Sequence, residues 1–357
     1  MGRKKDVTLQ DLAARLGLTV HTVSKALRGK PGMSEETRRR VFRTAREMGY
    51  RTRAQEEAVL ADKLAPLAQK AHRFAFVAGW SGEVTNLLFA AIQDRLLEFG
   101  HRVELTLFPG QITRPGPLRE WIERAGLPYA SGIFIAPALP PALERQLMAL
   151  PLPKIMLNYP EPGMRVDSVI WDVNDAMAQT VNTLVAAGHT RIMYVGDIET
   201  QRGFRQRWQA FGEALKTGGI PRPAEELLLK PAGTQEQWTQ AFVEKWEALR
   251  PTAVLCAIEY LLPWIYYTCS RLGLSIPDDV SLVSLETSEN AFLPELTRPE
   301  LPVRETGTRA ADRMLWRLAN PHLPFEHSRL QCRWHAGSTV RRIVSTVDPQ
   351  EMKLKWN

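Results

Sequence analysis

Residues 7–50 read VTLQDLAARLGLTVHTVSKALRGKPGMSEETRRRVFRTAREMGY, and this stretch decides how the N-terminal part of the chain folds. Its first helix is expected to begin after Thr8, which can cap the first turn while Asp11 occupies the capping-box position. Gly17 can adopt the left-handed conformation that ends a helix. Between these ends the apolar residues recur at the spacing of one helix face, namely Leu9, Leu12, Ala13 and Leu16.

Two further helices are predicted in the same stretch. The turn after Gly17 is so short that the next segment must be a second helix, packed at a steep angle to the first and capped by Thr19. The inward side of this helix consists of Val23, Ala26 and Leu27. Its outward side consists of Val20, His21, Ser24, Lys25 and Arg28. A third helix is expected between Ser34 as cap and Gly49 as stop. Its buried side consists of Val41, Phe42, Ala45 and Met48.

The outward side of the second helix is suited to the major groove of DNA. A Lys can donate to guanine N7 and O6 there, and a small apolar side chain can touch a thymine methyl group. The charge distribution supports a DNA partner, because residues 1–53 hold 14 Lys and Arg against 5 Asp and Glu, a net charge of +9. The remaining residues hold 32 against 34. A basic excess confined to one unit is typical of proteins that bind a phosphate backbone.

This stretch resembles the headpiece of the lactose/galactose repressor (LacI/GalR) family. The family pattern VT-x-x-D-[VL]-A-x-x-x-G-[VL]-[ST]-x-x-TVS-[RK] is matched from Val7 to Lys25. Its later part, S-x-x-TR-x-x-V with a closing GY, is matched at Ser34, Thr37, Arg38, Val41, Gly49 and Tyr50. The alternative is an amphipathic three-helix module that does not bind DNA. The candidate DNA-binding residues are Thr8, Thr19, Val20, His21, Thr22, Ser24, Lys25, Arg28, Ser34 and Tyr50.

In this family a hinge helix follows the headpiece and inserts a Leu into the minor groove after a Pro-Asn pair. Here Thr52-Arg53 replaces that pair, and Glu56 and Glu57 lie within the hinge. Two carboxylates near phosphates are unfavourable, which argues against insertion. The best candidates for the inserted side chain are Val59 and Leu60.

From residue 73 short apolar segments alternate with amphipathic ones, which predicts parallel sheets covered by helices on both faces. The predicted strands are Phe74–Gly79, Arg102–Phe108, Gly132–Ala136, Lys154–Asn158, Arg191–Gly196, Thr252–Ala257 and Val280–Leu285. The segments PLPKIMLNY, VAAGHTRIMYVG, RPTAVLCAIE and LGLSIPDDVSLVSLE resemble the effector-binding core of the same family, which is similar to periplasmic sugar-binding proteins. The segment that returns the chain to the first lobe in this family is similar to LPELTRPELPVRETGTRAADRML.

The predicted fold is therefore a small all-α helix-turn-helix headpiece followed by an α/β core of two doubly wound parallel-sheet lobes, like a periplasmic binding protein. The headpiece is placed at residues 1–53, the hinge at 54–72 and the effector-binding and dimerisation core at 73–345. Within the core, the first lobe comprises about 73–171 and 301–328, and the second about 172–300 and 329–345. A chain of 357 residues with 44% hydrophobic content can bury cores of this size.

Ligands of such a core bind between the lobes, at the carboxyl ends of the strands. Asn158 matches a family ligand position that is usually Asp, and Arg207 matches the Arg of the family's R-x-x-G-[FY]. Glu259 and Glu286 stand where the family has Asp. Trp80, just after the first strand, could stack on an apolar ligand face. For Asn158, Glu259 and Glu286, a strand-end residue that is exposed or hydrogen-bonded to a loop is an equal alternative. For Trp80, the alternative is an ordinary core or rim Trp.

The sequence contains no phosphate-binding loop, nucleophile elbow or zinc-protease motif. Cys256, Cys269 and Cys332 lie far apart without zinc-ligand spacing. We therefore expect no enzyme activity, no cofactor and no metal site. No signal peptide and no apolar run of about 20 residues is present, which predicts a cytoplasmic protein without a membrane partner.

These observations predict a sequence-specific transcriptional regulator, with repression as the expected mode. Its partners would be a pseudo-palindromic double-stranded DNA operator, a small-molecule effector such as a sugar or sugar derivative, and a second copy of the chain, with a tetramer left open. The dimer face is expected on the segments Leu87–Leu97 and Pro263–Leu272. The alternatives are a solute-binding protein and an enzyme with an accessory DNA-binding domain.

Overall fold

The computed structural model describes residues 7–27, 33–48, 50, 71–110, 112, 114–231, 233–285 and 295–343. The chain divides into two compact units, Met1–Lys70 and Ala71–Asn357. Some of the predicted site residues lie outside the described residues, namely Arg28, Val59, Leu60 and Glu286. Within the described part of the chain, no helix is long and apolar enough to cross a membrane.

The first unit contains the three predicted helices, α1 at Leu9–Leu16, α2 at Val20–Leu27 and α3 at Glu35–Met48. The capping box of α1 is confirmed, since the Asp11 amide donates to the Thr8 hydroxyl at 3.2 Å and the Thr8 amide donates to the Asp11 carboxylate at 2.8 Å. Gly17 ends α1 with a φ of 65°, as predicted. The local sequence signals therefore determine where α1 begins and ends.

The three helices pack around a small apolar core. Its buried members are Leu12, Ala13, Leu16, Val23, Ala26, Val41 and Ala45. One polar contact that the sequence pattern did not predict joins α3 to α1, because Arg40 Nη2 donates to the Leu16 carbonyl at 2.7 Å. This bond satisfies a carbonyl in the last turn of α1 and fixes the angle between the two helices.

The second unit is an α/β fold. Its strands β1 to β12 are Arg73–Ala78, Arg102–Leu107, Gly132–Ile135, Lys154–Met156, Asp167–Trp171, Ile192–Val195, Leu228–Leu229, Ala253–Cys256, Ser281–Ser284, Arg298–Glu300, His327–Leu330 and Arg333–His335. Its helices α4 to α12 are Glu83–Leu97, Pro115–Arg124, Pro141–Ala149, Val173–Ala186, Arg202–Thr217, Ala224–Leu227, Gln235–Leu249, Leu262–Arg271 and Val303–Ala319. All seven predicted strands are present.

The strands form two parallel sheets, each with helices around it. The first has six strands in the order β11-β5-β4-β3-β1-β2, and the second has four in the order β7-β6-β8-β9. We call the two halves of the unit lobe 1 and lobe 2 after these sheets. An antiparallel pair, β10 with β12, lies beside lobe 2. The chain passes between the lobes after β5, after β10 and after β11, so each lobe is built from separate segments.

The sequence pattern missed five strands, namely β5, β7, β10, β11 and β12, and three of these have a weak local strand signal. β7 has two residues, β10 contains a Pro, and β11 reads HSRL without apolar alternation. Such segments become strands only because a neighbouring strand offers its hydrogen-bonding edge. β11, for example, pairs along β5 from His327 opposite Ser168 to Leu330 opposite Trp171.

A buried ionic cluster attaches β11 and α12 to β5. The Asp167 carboxylate, which is fully buried, accepts from Arg313 Nη2 at 2.5 Å and from Arg317 Nε at 2.6 Å. The Glu326 amide also donates to it at 3.0 Å. The Arg313 guanidinium lies 3.9 Å from the centroid of the Trp316 ring. Burial acts to raise the pKa of Asp167, but the hydrogen bonds from Arg317, Glu326 and Arg313 lower it below its usual value.

We expect Asp167→Asn to lower the free energy of unfolding of the core by about 3–5 kcal/mol, because the buried Arg317 loses its carboxylate partner and Arg313 keeps only its ion pair with Glu326 among the described residues. Since the folded-state pKa of Asp167 is depressed, its contribution is present above the ordinary carboxyl pKa of about 3.9 and is lost as the pH falls through the lower folded-state value. Urea unfolding of both proteins between neutral and acidic pH measures this. The difference in free energy of unfolding between the wild type and the variant should be constant near neutral pH and should shrink below about pH 4.

The matched control is Asp312→Asn on α12, where Asp312 pairs with Arg95 at 2.7 Å and both side chains are about 30% exposed. That change should cost less than about 1 kcal/mol, as is usual for solvent-accessible pairs. Equal costs for the two variants would contradict the role assigned to the buried cluster.

Candidate functional site

The exposed face of α2 is the candidate nucleic-acid interface. Val20, 42% exposed, and His21 lie on the surface at the start of this helix, whereas Ser24 and Lys25 are half-buried. The Thr22 amide donates to the Thr19 hydroxyl at 3.1 Å, so Thr19 is the cap that the sequence predicted. The structure thus places two exposed side chains and a capped helix start together.

The remaining headpiece candidates have visible structural roles. Thr8 caps α1 and Ser34 caps α3, since the Thr37 amide donates to the Ser34 hydroxyl at 3.2 Å. Tyr50 is half-buried against the headpiece core. Contact of these three residues with DNA stays a prediction.

A cavity of about 510 Å³ lies between lobe 1 and lobe 2 at the carboxyl ends of their strands. Four of the five predicted effector residues line it: Trp80, Asn158, Arg207 and Glu259. They come from separate loops and helices, and the first and last of them are 179 positions apart in sequence. Gly79 also lines the cavity, and a Cβ at that position would lie 2.6 Å from the Ala138 carbonyl oxygen, so the close approach of these two loops requires glycine.

Arg207 lies on α8 and is 3% exposed. Its Nη1 donates to the Ala257 carbonyl at 2.5 Å, and its guanidinium lies 5.3 Å from the centroid of the Phe204 ring. One arm of the predicted planar fork therefore binds the loop that follows β8. Arg207 both supports this wall of the cavity and borders the space where a ligand would lie.

Asn158 follows β4, and its carboxamide binds nearby backbone. Its Nδ2 donates to the Pro137 carbonyl at 2.5 Å, and its Oδ1 accepts from the Tyr159 amide at 2.8 Å. These bonds match the alternative in which a strand-end residue is hydrogen-bonded to a loop. A carboxamide has a further donor and acceptor position, so Asn158 can still contact a ligand.

Aromatic side chains that the sequence analysis did not select form much of the cavity wall, namely Tyr159, Trp171, Phe204 and Tyr260. Trp80, which was predicted, is 55% exposed. Two of the missed residues directly follow selected ones, Asn158 and Glu259. Aromatic residues at strand ends could therefore have been found by extending each candidate by one position.

Asp197, also missed, organises the loop between β6 and α8. Its carboxylate accepts from the amides of Glu199 at 2.7 Å and Thr200 at 3.1 Å and from the Thr200 hydroxyl. Burial acts to raise the pKa of Asp197, but these bonds lower it below its usual value. The ionised group holds the start of α8 against the cavity.

Tyr159 fixes the segment that leads from lobe 1 to lobe 2 after β5. Its hydroxyl donates to the Trp171 carbonyl at 2.8 Å and accepts from the Val173 amide at 2.9 Å. Burial raises the pKa of Tyr159 to about 12. The hydroxyl therefore remains protonated and keeps both bonds throughout the physiological pH range.

A second cavity of about 640 Å³ adjoins the first and shares seven lining residues with it, Gly79, Trp80, Pro137, Ala138, Asn158, Thr200 and Gln201. We call it the outer cavity. The charged residues that line the outer cavity are Glu144, Arg145, Glu161, Arg202 and Arg205. Across the described ranges, no cluster of three or more His, Cys, Asp or Glu side chains is arranged to hold a metal ion.

Comparison with known proteins covers both units. Residues 8–53 match the sequence profile of bacterial regulatory proteins of the lacI family, and residues 181–340 match that of a periplasmic binding protein-like domain. The HTH-type transcriptional repressor PurR of Vibrio vulnificus (strain CMCP6) is 23% identical over 353 residues, which cover 96% of this chain and 99% of that repressor.

Solved structures show the same fold. The lac repressor dimer bound to operator and the anti-inducer ONPF matches with a TM-score of 0.65 and 21% identity, over 94% of this chain and 100% of that chain. The complex of the transcriptional regulator CelR with cellobiose matches with a TM-score of 0.65 and 19% identity, over 93% and 99%.

We expect the Tyr159 hydroxyl to titrate at about pH 12, above the ordinary tyrosine pKa of about 10. Because its folded-state pKa is raised, its contribution to stability is present below the ordinary tyrosine pKa of about 10 and is lost as the pH rises through about 12. The ultraviolet difference between the wild type and Tyr159→Phe, followed during alkaline titration, reports this group alone. A transition near pH 10 would show that the hydroxyl is not held as described.

Proposed function

We infer that this chain, which belongs to the LacI family of bacterial regulatory proteins, is a transcriptional regulator that binds operator DNA and responds to a small molecule held between its lobes. The observation that carries this inference is that one chain joins a helix-turn-helix unit to a two-lobed core with a cavity at the strand ends. A solute-binding protein would have no need of the first unit. We propose that the protein acts in the cytoplasm and without catalysis.

DNA binding is assigned to α2. One headpiece reaches only a few base pairs, so two headpieces related by two-fold symmetry are needed to specify a site, and the operator is pseudo-palindromic as a result. In the proposed complex Val20, His21 and Lys25 contact base edges, and the helix starts capped by Thr19 and Ser34 face phosphates. Thr8, Thr22, Ser24 and Tyr50 complete the proposed interface.

The proposed effector is a sugar or sugar derivative in the cavity between the lobes. Aromatic rings such as Trp80 and Tyr260 offer flat surfaces to the apolar faces of a sugar ring. Arg207 and Asn158 offer donors, and Glu259 offers an acceptor, to its hydroxyl groups. Because lobe 1 and lobe 2 both contribute, a ligand that binds one lobe arrangement more tightly shifts the population of that arrangement and thereby operator affinity.

Lys25→Ala should change which base is preferred within each half-site, by about 1–3 kcal/mol at the contacted position. The control is Arg15→Ala on α1, an exposed residue away from the start of α2, which should weaken all sequences more evenly because it removes only a charge. Selection of binding sites from a random DNA pool measures both. An unchanged preference for Lys25→Ala would remove this residue from the base-reading set.

Arg207→Lys should uncouple effector from operator. A lysine can still donate to the Ala257 carbonyl, but it lacks the planar fork that holds a ligand. A screen of mono- and disaccharides for changes in operator affinity supplies the effector for this test. The variant should need about 10- to 100-fold more effector, as expected for the loss of one charged hydrogen bond, while operator affinity without effector is retained.

The matched control is Arg205→Lys, on the same helix, where the guanidinium donates to the Glu199 carbonyl in the loop that precedes α8. This variant should respond like the wild type. A full response in Arg207→Lys, or an equal loss in Arg205→Lys, would contradict the assignment of Arg207 to the effector.

A further inference from the structure

One side chain of lobe 2 reaches across the outer cavity and binds lobe 1. Arg202 is the first residue of α8, and Glu144 lies on α6, between β3 and β4 of the six-stranded sheet. Arg202 Nη1 donates to Glu144 Oε1 at 2.8 Å, and Arg202 Nη2 donates to Glu144 Oε2 at 2.6 Å. Two parallel charged hydrogen bonds of this kind are the strongest form of this pair and tolerate little displacement.

Two other groups of lobe 1 surround the same guanidinium. Arg202 Nη2 lies 3.6 Å from the Met156 sulfur, and Arg202 Nη1 lies 3.6 Å from a Glu161 carboxylate oxygen. The Arg202 and Glu144 side chains are 14% and 8% exposed. Arg202 is thus enclosed by lobe 1, although its backbone belongs to lobe 2.

The energetic balance of this pair suits a contact that must both form and break. Removing both charges from water is costly, and their attraction offsets that cost only while the geometry is maintained. Arg202 Nε is buried without a hydrogen-bond partner among the described residues, so the closed contact leaves one donor unsatisfied. Separation of the lobes would hydrate all of these groups, which limits the net stabilisation.

The position of the pair gives it control over the cavity. Both residues line the outer cavity, which shares seven lining residues with the first cavity, where the effector is proposed to bind. Arg202 and Arg207 both lie on α8. The hydrogen bonds of Asp197 hold the loop that leads into this helix. Movement of α8 relative to lobe 1 therefore moves both arginines together.

We propose that Glu144 and Arg202 form an ionic latch that holds lobe 1 and lobe 2 together on the outer side of the cavity and sets the lobe arrangement on which an effector acts. They are positioning residues, because the latch acts through the distance between the lobes. Only its effect on operator binding rests on the function proposed above. The latch itself can be tested on the protein alone.

The first test measures the distance between the lobes in the full chain. Spin labels are attached to cysteines introduced by Glu120→Cys on α5 and Lys216→Cys on α8, both exposed positions. The native cysteines are buried. Labelled chains are diluted with unlabelled ones so that each dimer carries one label pair. Without any added sugar, Glu144→Gln and Arg202→Gln should each broaden and shift the distance distribution relative to the wild type.

The double variant Glu144→Arg/Arg202→Glu restores the opposite charges in reversed order and should bring the distribution back toward that of the wild type. The matched control is Arg205→Gln, the same substitution three residues later, at a side chain that contacts only its own lobe. It should leave the distances unchanged. The proposal is overturned if the two single variants and Arg205→Gln give the same distribution as the wild type.

Operator affinity is the second measurement. Glu144→Gln and Arg202→Gln should change it in the same direction, on the order of 5- to 150-fold, as is typical of coupling between sites, and the charge reversal should cancel the change. If the distances respond as expected and no operator is bound by any form, the proposed function fails while the latch stands. If operator affinity is normal and the distances do not respond, the latch alone fails.

Discussion

The buried carboxylate of Asp167 is the interaction on which the construction of lobe 1 depends. It joins residues that are 150 positions apart, because Arg317 lies on a helix that the chain reaches only after it has built lobe 2. Without that connection, α12 would lose its two ion pairs with β5.

The chain passes between the lobes three times, and the three linking segments therefore determine how one lobe is positioned relative to the other. Tyr159 holds the first of them through two hydrogen bonds to its backbone, from a position next to the cavity. The same loop contains Asn158, whose carboxamide binds the loop after β3. Residues that border the ligand space are therefore also those that fix the linking segment, which is a direct physical route from ligand contact to lobe arrangement.

The chemistry of the cavity differs from that expected from the sequence alone. Arg207 and Asn158 were predicted as ligand contacts, with a loop-bound residue as an equal alternative for Asn158, and each uses part of its hydrogen-bonding capacity on nearby backbone. The wall of the cavity contains five aromatic side chains, of which only Trp80 was selected from the sequence. Recognition in this cavity therefore combines stacking with a few directed polar groups, and most of those groups are held in place before any ligand arrives.

The sequence by itself determined the headpiece and the strand framework. Thr8, Asp11 and Gly17 specify α1 through contacts within one turn, and long apolar segments such as Phe74–Gly79 specify strands because burial on both faces needs an unbroken apolar run. Only the tertiary structure decided that HSRL becomes β11, that Asp197 borders the cavity, and that Arg202 meets Glu144. These features depend on pairing between residues far apart in the chain, and no local pattern of one segment records which distant partner will complete it.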